Sequence, residues 1–127
     1  MSVTVMIVDD SKLARIVAAK ALTQLQPEWG KVEAGSAREA LDVIDAQAVD
    51  IALIDFNMSE TDGLELAAEL RAMRPDMPIA IITANIQDEI IARAREVGAA
   101  FIAKPVTGEG LSGFLSGAAL KLKTTRA

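Results

Sequence analysis

The chain contains no cysteine and no histidine in its 127 residues. The first absence excludes disulfides and thiolate metal sites and suits a cytoplasmic protein. The second removes the commonest general base and transition-metal ligand. Long apolar runs are missing too. Although 51% of the residues are hydrophobic, no stretch approaches the roughly 20 apolar residues of a membrane span. Asp9 and Asp10 interrupt the first apolar run, so the N-terminus does not read as a signal peptide. No glycine-rich loop follows that run, which disfavours a flavin or nucleotide binder. Bases are the minority, 13 against 18 acids for a net charge of −5, and a broad basic face for nucleic acid is not expected. Without Asp9, Asp10 and Asp55 the net charge would be about −2, so much of the imbalance is concentrated in these acids.

What is present is chain enough for one domain, residues 1–127, with a buried core. Apolar runs alternate with helical periodicity. Val3 to Val8 reads as a strand buried on both faces. Leu13 to Leu25 reads as a helix with Ile16, Ala19 or Lys20, and Leu22-Thr23 on one stripe, stopped by Pro27 and Gly30. A short strand is expected near Lys31 to Ala34. Ser36-Ala37-Arg38-Glu39 forms a capping box for a second helix carrying Leu41 and Ile44. Ile51 to Ile54 is a third strand, and Asp62-Gly63 opens a helix reaching Met73. Ile79 to Thr83 is a fourth strand, followed by a helix through Ile86, Ile90, Ala94 and Val97. Ala99 to Ala103 is a short fifth strand, and Thr107 to Lys121 the last helix, packed through Leu111, Phe114, Leu115 and Leu120. The pattern predicts an α/β doubly wound domain with a five-stranded parallel sheet. Residues 121–127 read as a short basic tail, frayed and solvated. Trp29 reads as a packed loop anchor, and Met58 and Met77 as gap fillers.

Polar residues stand where strands end: Asp9-Asp10, Asp55, Thr83 and Lys104. In open parallel sheets ligands bind outside the carboxyl ends of the strands, where strand order reverses. A single acid after a strand is ordinarily a helix cap, but these exits together define a site. Two carboxylates about 4 Å apart repel by roughly 4 kcal/mol at an effective dielectric of 20. Three of them must bind protons or a cation, since Lys104 supplies only one positive charge. Oxygen-only ligands favour a hard divalent ion such as Mg²⁺. Mg²⁺, Lys104 and the Thr83 hydroxyl would surround an anion at Asp55, and phosphoryl transfer to a carboxylate nucleophile is the chemistry that needs such surroundings.

These residues, Asp9-Asp10, Asp55, Thr83-Ala84 and Lys104-Pro105, resemble in order and spacing the receiver domain of two-component response regulators, over Val3 to about Leu120. The resemblance is to the single-domain, chemotaxis-regulator type, a cytoplasmic protein with no DNA-binding domain. It implies a flavodoxin-like (βα)5 fold of strand order 2-1-3-4-5. Asp55 would be the phosphoacceptor, supplied by a histidine kinase or phosphotransfer protein. Asp10 and Asp55 would bind Mg²⁺ (or Mn²⁺) directly, the Asn57 backbone carbonyl would add a ligand, and Asp9 would act through water. Lys104 would pair with a phosphate oxygen, Thr83 would swing inward to the phosphoryl group, and Phe101 would follow. The Lys104-Pro105 peptide would be cis, and Asn57 and Asn85 would tune phosphoryl lifetime. An output protein would read the face of helix 4, strand 5 and helix 5, and a homodimer is compatible with the sequence.

Some residues depart from that pattern. Ser59 stands where the family usually has proline, so the loop loses a rigid φ, and Phe101 lacks the hydroxyl of the commoner tyrosine. Gly108, Gly110, Gly113 and Gly117 each disfavour a helix interior by about 1 kcal/mol relative to alanine. Gly113 and Gly117 would let a partner helix or second copy approach closely. The alternatives are a receiver-shaped scaffold acting without phosphorylation and an aspartyl-phosphate phosphatase. The latter wants a second aspartate two residues after the nucleophile, where Asn57 stands.

Overall fold

Every residue of the third and fourth strands is buried, the reason both read as unbroken apolar runs. The computed structural model describes residues 3–58, 62–84, 86–104 and 106–126, with only the backbone of Thr125 and Arg126. Strands β1 (Thr4–Val8), β2 (Gly30–Ala34), β3 (Ile51–Asp55), β4 (Ile79–Thr83) and β5 (Ala100–Ala103) alternate with helices α1 (Lys12–Leu25), α2 (Ala37–Ala46), α3 (Gly63–Met73), α4 (Asp88–Glu96) and α5 (Gly108–Arg126). All strand pairs are parallel, in the order β2-β1-β3-β4-β5, the flavodoxin-like arrangement the resemblance implied.

Alternation along the strands builds two cores. Val5, Ile7, Leu53 and Ile82 face α1 and α5, where Leu22, Leu111 and Leu115 cover them. Met6, Val8, Ile54 and Ile81 face α2, α3 and α4, covered by Ile44, Leu66, Leu70 and Ile90. Trp29 packs at the edge of the first core, Met77 is buried in the second and Met58 packs against it. The α2 start follows the capping prediction, since the Ser36 hydroxyl accepts from the Glu39 N–H at 3.1 Å. Ser36→Ala should therefore lower stability by about 1 kcal/mol in urea denaturation.

The structure differs from the sequence reading at several helices. The buried side of α1 is Ala18, Ala21 and Leu22, while Ile16 is 46% and Leu13 71% exposed. Small residues bring α1 close to both the sheet and α5, so packing distance rather than hydropathy chooses the face. Helix α4 starts at Asp88 and leaves Ile86 exposed before it. Helix α5 does not fray at 121. It continues to Arg126 because Leu122 is buried and gives the last turns a packing partner, whereas Leu120 points outward. Gly108 and Gly110 fall in the first turn of α5, where the Thr107 hydroxyl accepts the Gly110 N–H at 3.1 Å. The helix-interior cost therefore rests on Gly113 and Gly117.

At the pole of the sheet opposite the strand exits, Arg71 near the end of α3 acts as a clamp. Its guanidinium donates to the carbonyls of Arg74, Pro75 and Met77 in the α3–β4 connection and of Val97 and Gly98 after α4, at 2.7–3.3 Å. One side chain thereby fixes two loops that are far apart in sequence.

Candidate functional site

Asp9 and Asp55 are buried, at 6% and 4% exposure, at the exits of neighbouring strands β1 and β3. The reversal of strand order around β1 splits the helices between two faces and leaves a crevice there. Asp10, one residue on, is exposed, and carboxylate oxygens of Asp9, Asp10 and Asp55 all lie within 4.8 Å of one another. The three acids expected from the sequence to converge on one pocket are thus brought together.

Pairing between the outer strands delivers the cation. The Lys104 N–H donates to the Thr83 carbonyl at 2.9 Å, extending the β4–β5 ladder by one residue. The Lys104 ammonium then reaches Asp55 Oδ1 at 2.7 Å and Asp9 Oδ2 at 3.6 Å. The other Asp9 oxygen, Oδ1, accepts the Ser11 N–H at 2.9 Å, and Ser11 caps α1. Thr83 is 1% exposed at the end of β4, in register with Ala103. Phe101, two residues earlier on β5, is half-buried against the α2–α4 core.

Burial pushes the Asp55 carboxyl up from its ordinary value. The Lys104 hydrogen bond opposes that rise, and the charges of Asp9 and Asp10 add to it. Lys104 is also raised, because its contacts with Asp55 and Asp9 outweigh burial. The two directions agree physically. Lysine gains from both acids it touches, whereas Asp55 is deeply buried and has two carboxylate neighbours against one ammonium. The donor set, all oxygen with excess negative charge, fits a hard divalent cation. Asp9, Asp10 and Asp55 would hold it, and it would neutralise the charge that Lys104 leaves over.

Residues on either side of the loop after Asp55 are drawn together. Asn57 pairs with Asp62 as an isolated antiparallel bridge, and the Gly63 N–H donates to the Phe56 carbonyl at 2.8 Å. Asp62 caps α3 through the Glu65 N–H at 2.8 Å and meets Arg93 of α4 at 3.2 Å. Ser59, Asn85 and Pro105, and with them the cis peptide and one lifetime position, lie outside the described residues. Sequence reasoning missed Arg15, whose Nη1 donates to the Asp9 carbonyl at 2.6 Å. The available signal was its place one turn into α1, since helical side chains lean back toward the N-terminus.

The site is an acid trio and a lysine at the switch point of a doubly wound sheet, a cluster that could hold a metal ion. The family model for the response regulator receiver domain matches residues 5–115, and the chain belongs to that family, the receivers of two-component signalling. It is 32% identical over 105 residues to the transcriptional regulatory protein GlrR of Escherichia coli, covering 81% of this chain and 23% of that protein. In structure it is similar to the chemotaxis protein CheY4 of Vibrio cholerae, with a TM-score of 0.84, 26% identity, and coverage of 93% of this chain and 99% of that one. A CheY-like receiver domain protein from Methanospirillum hungatei shares the fold, with a TM-score of 0.87 at 24% identity over 98% of this chain and 99% of the other. The first curated relatives are longer, and the chain spans between 13% and 49% of their length. Among the described residues no helix is long and apolar enough to cross a membrane.

Proposed function

We propose that the chain is a phosphorylation switch whose acceptor is Asp55. The observation that carries this reading is the Lys104 ammonium 2.7 Å from Asp55 Oδ1, with the Asp9 and Asp10 carboxylates beside it. An Asp55 oxygen attacks the phosphorus of a phosphohistidine on a partner kinase or phosphotransfer protein. The new P–O bond forms as the P–N bond breaks, and the imidazole keeps the electron pair. With no histidine among these 127 residues, a phosphodonor histidine lies outside them.

Each residue has a part. Lys104 pairs with the developing phosphoryl charge, where it counts for more than in water because the site is partly desolvated. Asp9, Asp10, Asp55 and the Asn57 carbonyl would hold Mg²⁺ or Mn²⁺, Asp9 through water as the family resemblance implies. A cation bound there offsets the charge that would repel an incoming phosphoryl group. Thr83 turns to donate to a phosphoryl oxygen, and Phe101 moves into the space it leaves. By the family resemblance, Asn57 and Asn85 are the residues that would orient an attacking water and so set the lifetime. The response is a population shift read by an output protein at the face of α4, β5 and α5, in the cytoplasm, with no turnover of another substrate. Self-association through the same face is compatible with the open surface over Gly113 and Gly117.

Intact mass after incubation with a small phosphodonor and Mg²⁺ tests the central step. Wild type should gain one phosphoryl group, and Asp55→Asn none. No adduct on wild type, or equal adduct on both, defeats the reading and leaves a receiver-shaped scaffold.

A further inference from the structure

A second cation reaches the acid pair, and it touches backbone rather than carboxylate. Arg15 Nη1 donates to the Asp9 carbonyl at 2.6 Å, while Arg15 Nε donates to Glu33 Oε1 on β2 at 2.9 Å. The Arg15 side chain is only 17% exposed, against 46% for Glu33. Gly35 leaves the guanidinium its seat, since a Cβ there would stand 3.3 Å from Nη1. The Asp9 N–H is meanwhile bound to the Ala34 carbonyl at 3.1 Å. Asp9 is thus gripped on both of its backbone groups, by β2 and by Arg15.

The consequence falls on Asp10. The Asp9 carbonyl belongs to the peptide joining Asp9 to Asp10, and that unit is planar and rigid. Fixing its oxygen fixes the plane from which the exposed Asp10 leaves β1. We propose that Arg15 is a positioning residue for the cation site. Held by Glu33, it locks the Asp9–Asp10 peptide so that the Asp10 carboxylate stands beside those of Asp9 and Asp55. This inference rests on the cation-site reading above and concerns how the ligands are arranged beforehand.

The proposal can be separated from a plain charge effect by its sign. A guanidinium near a cation site repels the cation, so removing it would tighten binding if charge were its only role. If Arg15 orders the ligands, removing it weakens binding despite the relief of repulsion. Backbone amide shifts titrated with Mg²⁺ alone, in wild type, Arg15→Met, Arg15→Lys and Glu33→Gln, read the difference. Wild type should respond at residues 9–11 and 55–57. Arg15→Met and Glu33→Gln should bind about tenfold more weakly, the usual scale for groups that orient metal ligands. Arg15→Lys, which keeps the charge but not the two-armed geometry, should fall between. The Mg²⁺ concentration for half-maximal adduct formation should rise by the same factor, with a smaller change in the rate at saturation.

Unchanged or tighter Mg²⁺ binding in Arg15→Met overturns the proposal, whatever that variant does to thermal stability. Should Arg15→Met not fold, Arg15→Lys decides, because it keeps the charge and changes only the geometry; unchanged affinity in that variant again counts against the proposal. A wild type that does not respond to Mg²⁺ overturns the cation-site reading itself, an outcome distinct from a responsive wild type with an unaffected variant.

Discussion

Gly63→Ala should destabilise the domain by about 3 kcal/mol or more, the upper range for forcing atoms into a packed interior. Gly63 is the first residue of α3 and is buried. A Cβ built there falls inside contact distance of the Asp55 carbonyl oxygen and 3.0 Å from Ile54 Cγ2. Neither neighbour can yield easily, because the oxygen is backbone at the end of a central strand and Ile54 is fully buried. The start of α3 must back away or the end of β3 must bend. Either movement carries the Asp55 carboxylate with it, and a misplacement of about 1 Å can lower a reaction rate about a hundredfold. Urea denaturation and the rate of adduct formation should fall together. Gly113→Ala and Gly117→Ala are the controls. Nothing lies within 4 Å of a Cβ at either position, so each should stabilise the protein by about 0.5–1 kcal/mol. A Gly63→Ala protein as stable as wild type would show that the contact is not close.

Asp55→Asn should be more stable than wild type at neutral pH in the absence of divalent metal. Asn removes one of three carboxylates lying within 4.8 Å of one another. At that spacing each like-charge pair repels by roughly 1–3 kcal/mol for effective dielectrics between bulk water and a protein surface. Lys104 retains Asp9 and an amide oxygen as partners. The pH dependence carries the sign. The folded-state pKa of Asp55 lies above the ordinary 3.8, so in the window above 3.8 the folded protein holds the proton more tightly than the unfolded chain does. Stability from this group is fully present below that window, is lost as pH rises through the folded pKa, and stays lost above it. The advantage of Asp55→Asn should accordingly be absent near pH 3 and level off above the window. Mg²⁺ at about 100 times its Kd adds about 2.7 kcal/mol to the protein that binds it, which should close or reverse the gap. A less stable Asn variant at neutral pH would mean that the Lys104 pairing outweighs burial and repulsion.

Asp9, Asp10, Asp55, Thr83 and Lys104 were legible in the sequence because each is a polar residue at the end of an apolar run. In a parallel sheet such ends converge whatever the details of packing. The strand order was not derivable from periodicity, since any right-handed winding buries the same runs, and it came from the family resemblance. The buried face of α1 was hidden by its composition. Leu13, Ile16 and Val17 outrank Ala18 and Ala21 in hydropathy, yet the structure buries the alanines. The roles of Arg15, Arg71 and Gly63 were illegible for a different reason. Each depends on backbone atoms from a separate element, and carbonyl groups leave no trace in residue type.

The Arg71 clamp bears on the order in which the fold comes apart. Five acceptors in two loops share one guanidinium, so neither loop can swing away without breaking bonds that also hold the other. The approach to β4 and the approach to β5 therefore form a single cooperative opening unit, although more than 20 residues separate Pro75 from Gly98. The end of the molecule away from the acid cluster is stitched shut, so low-energy motion is expected at the pole that carries Asp9, Asp10 and Asp55.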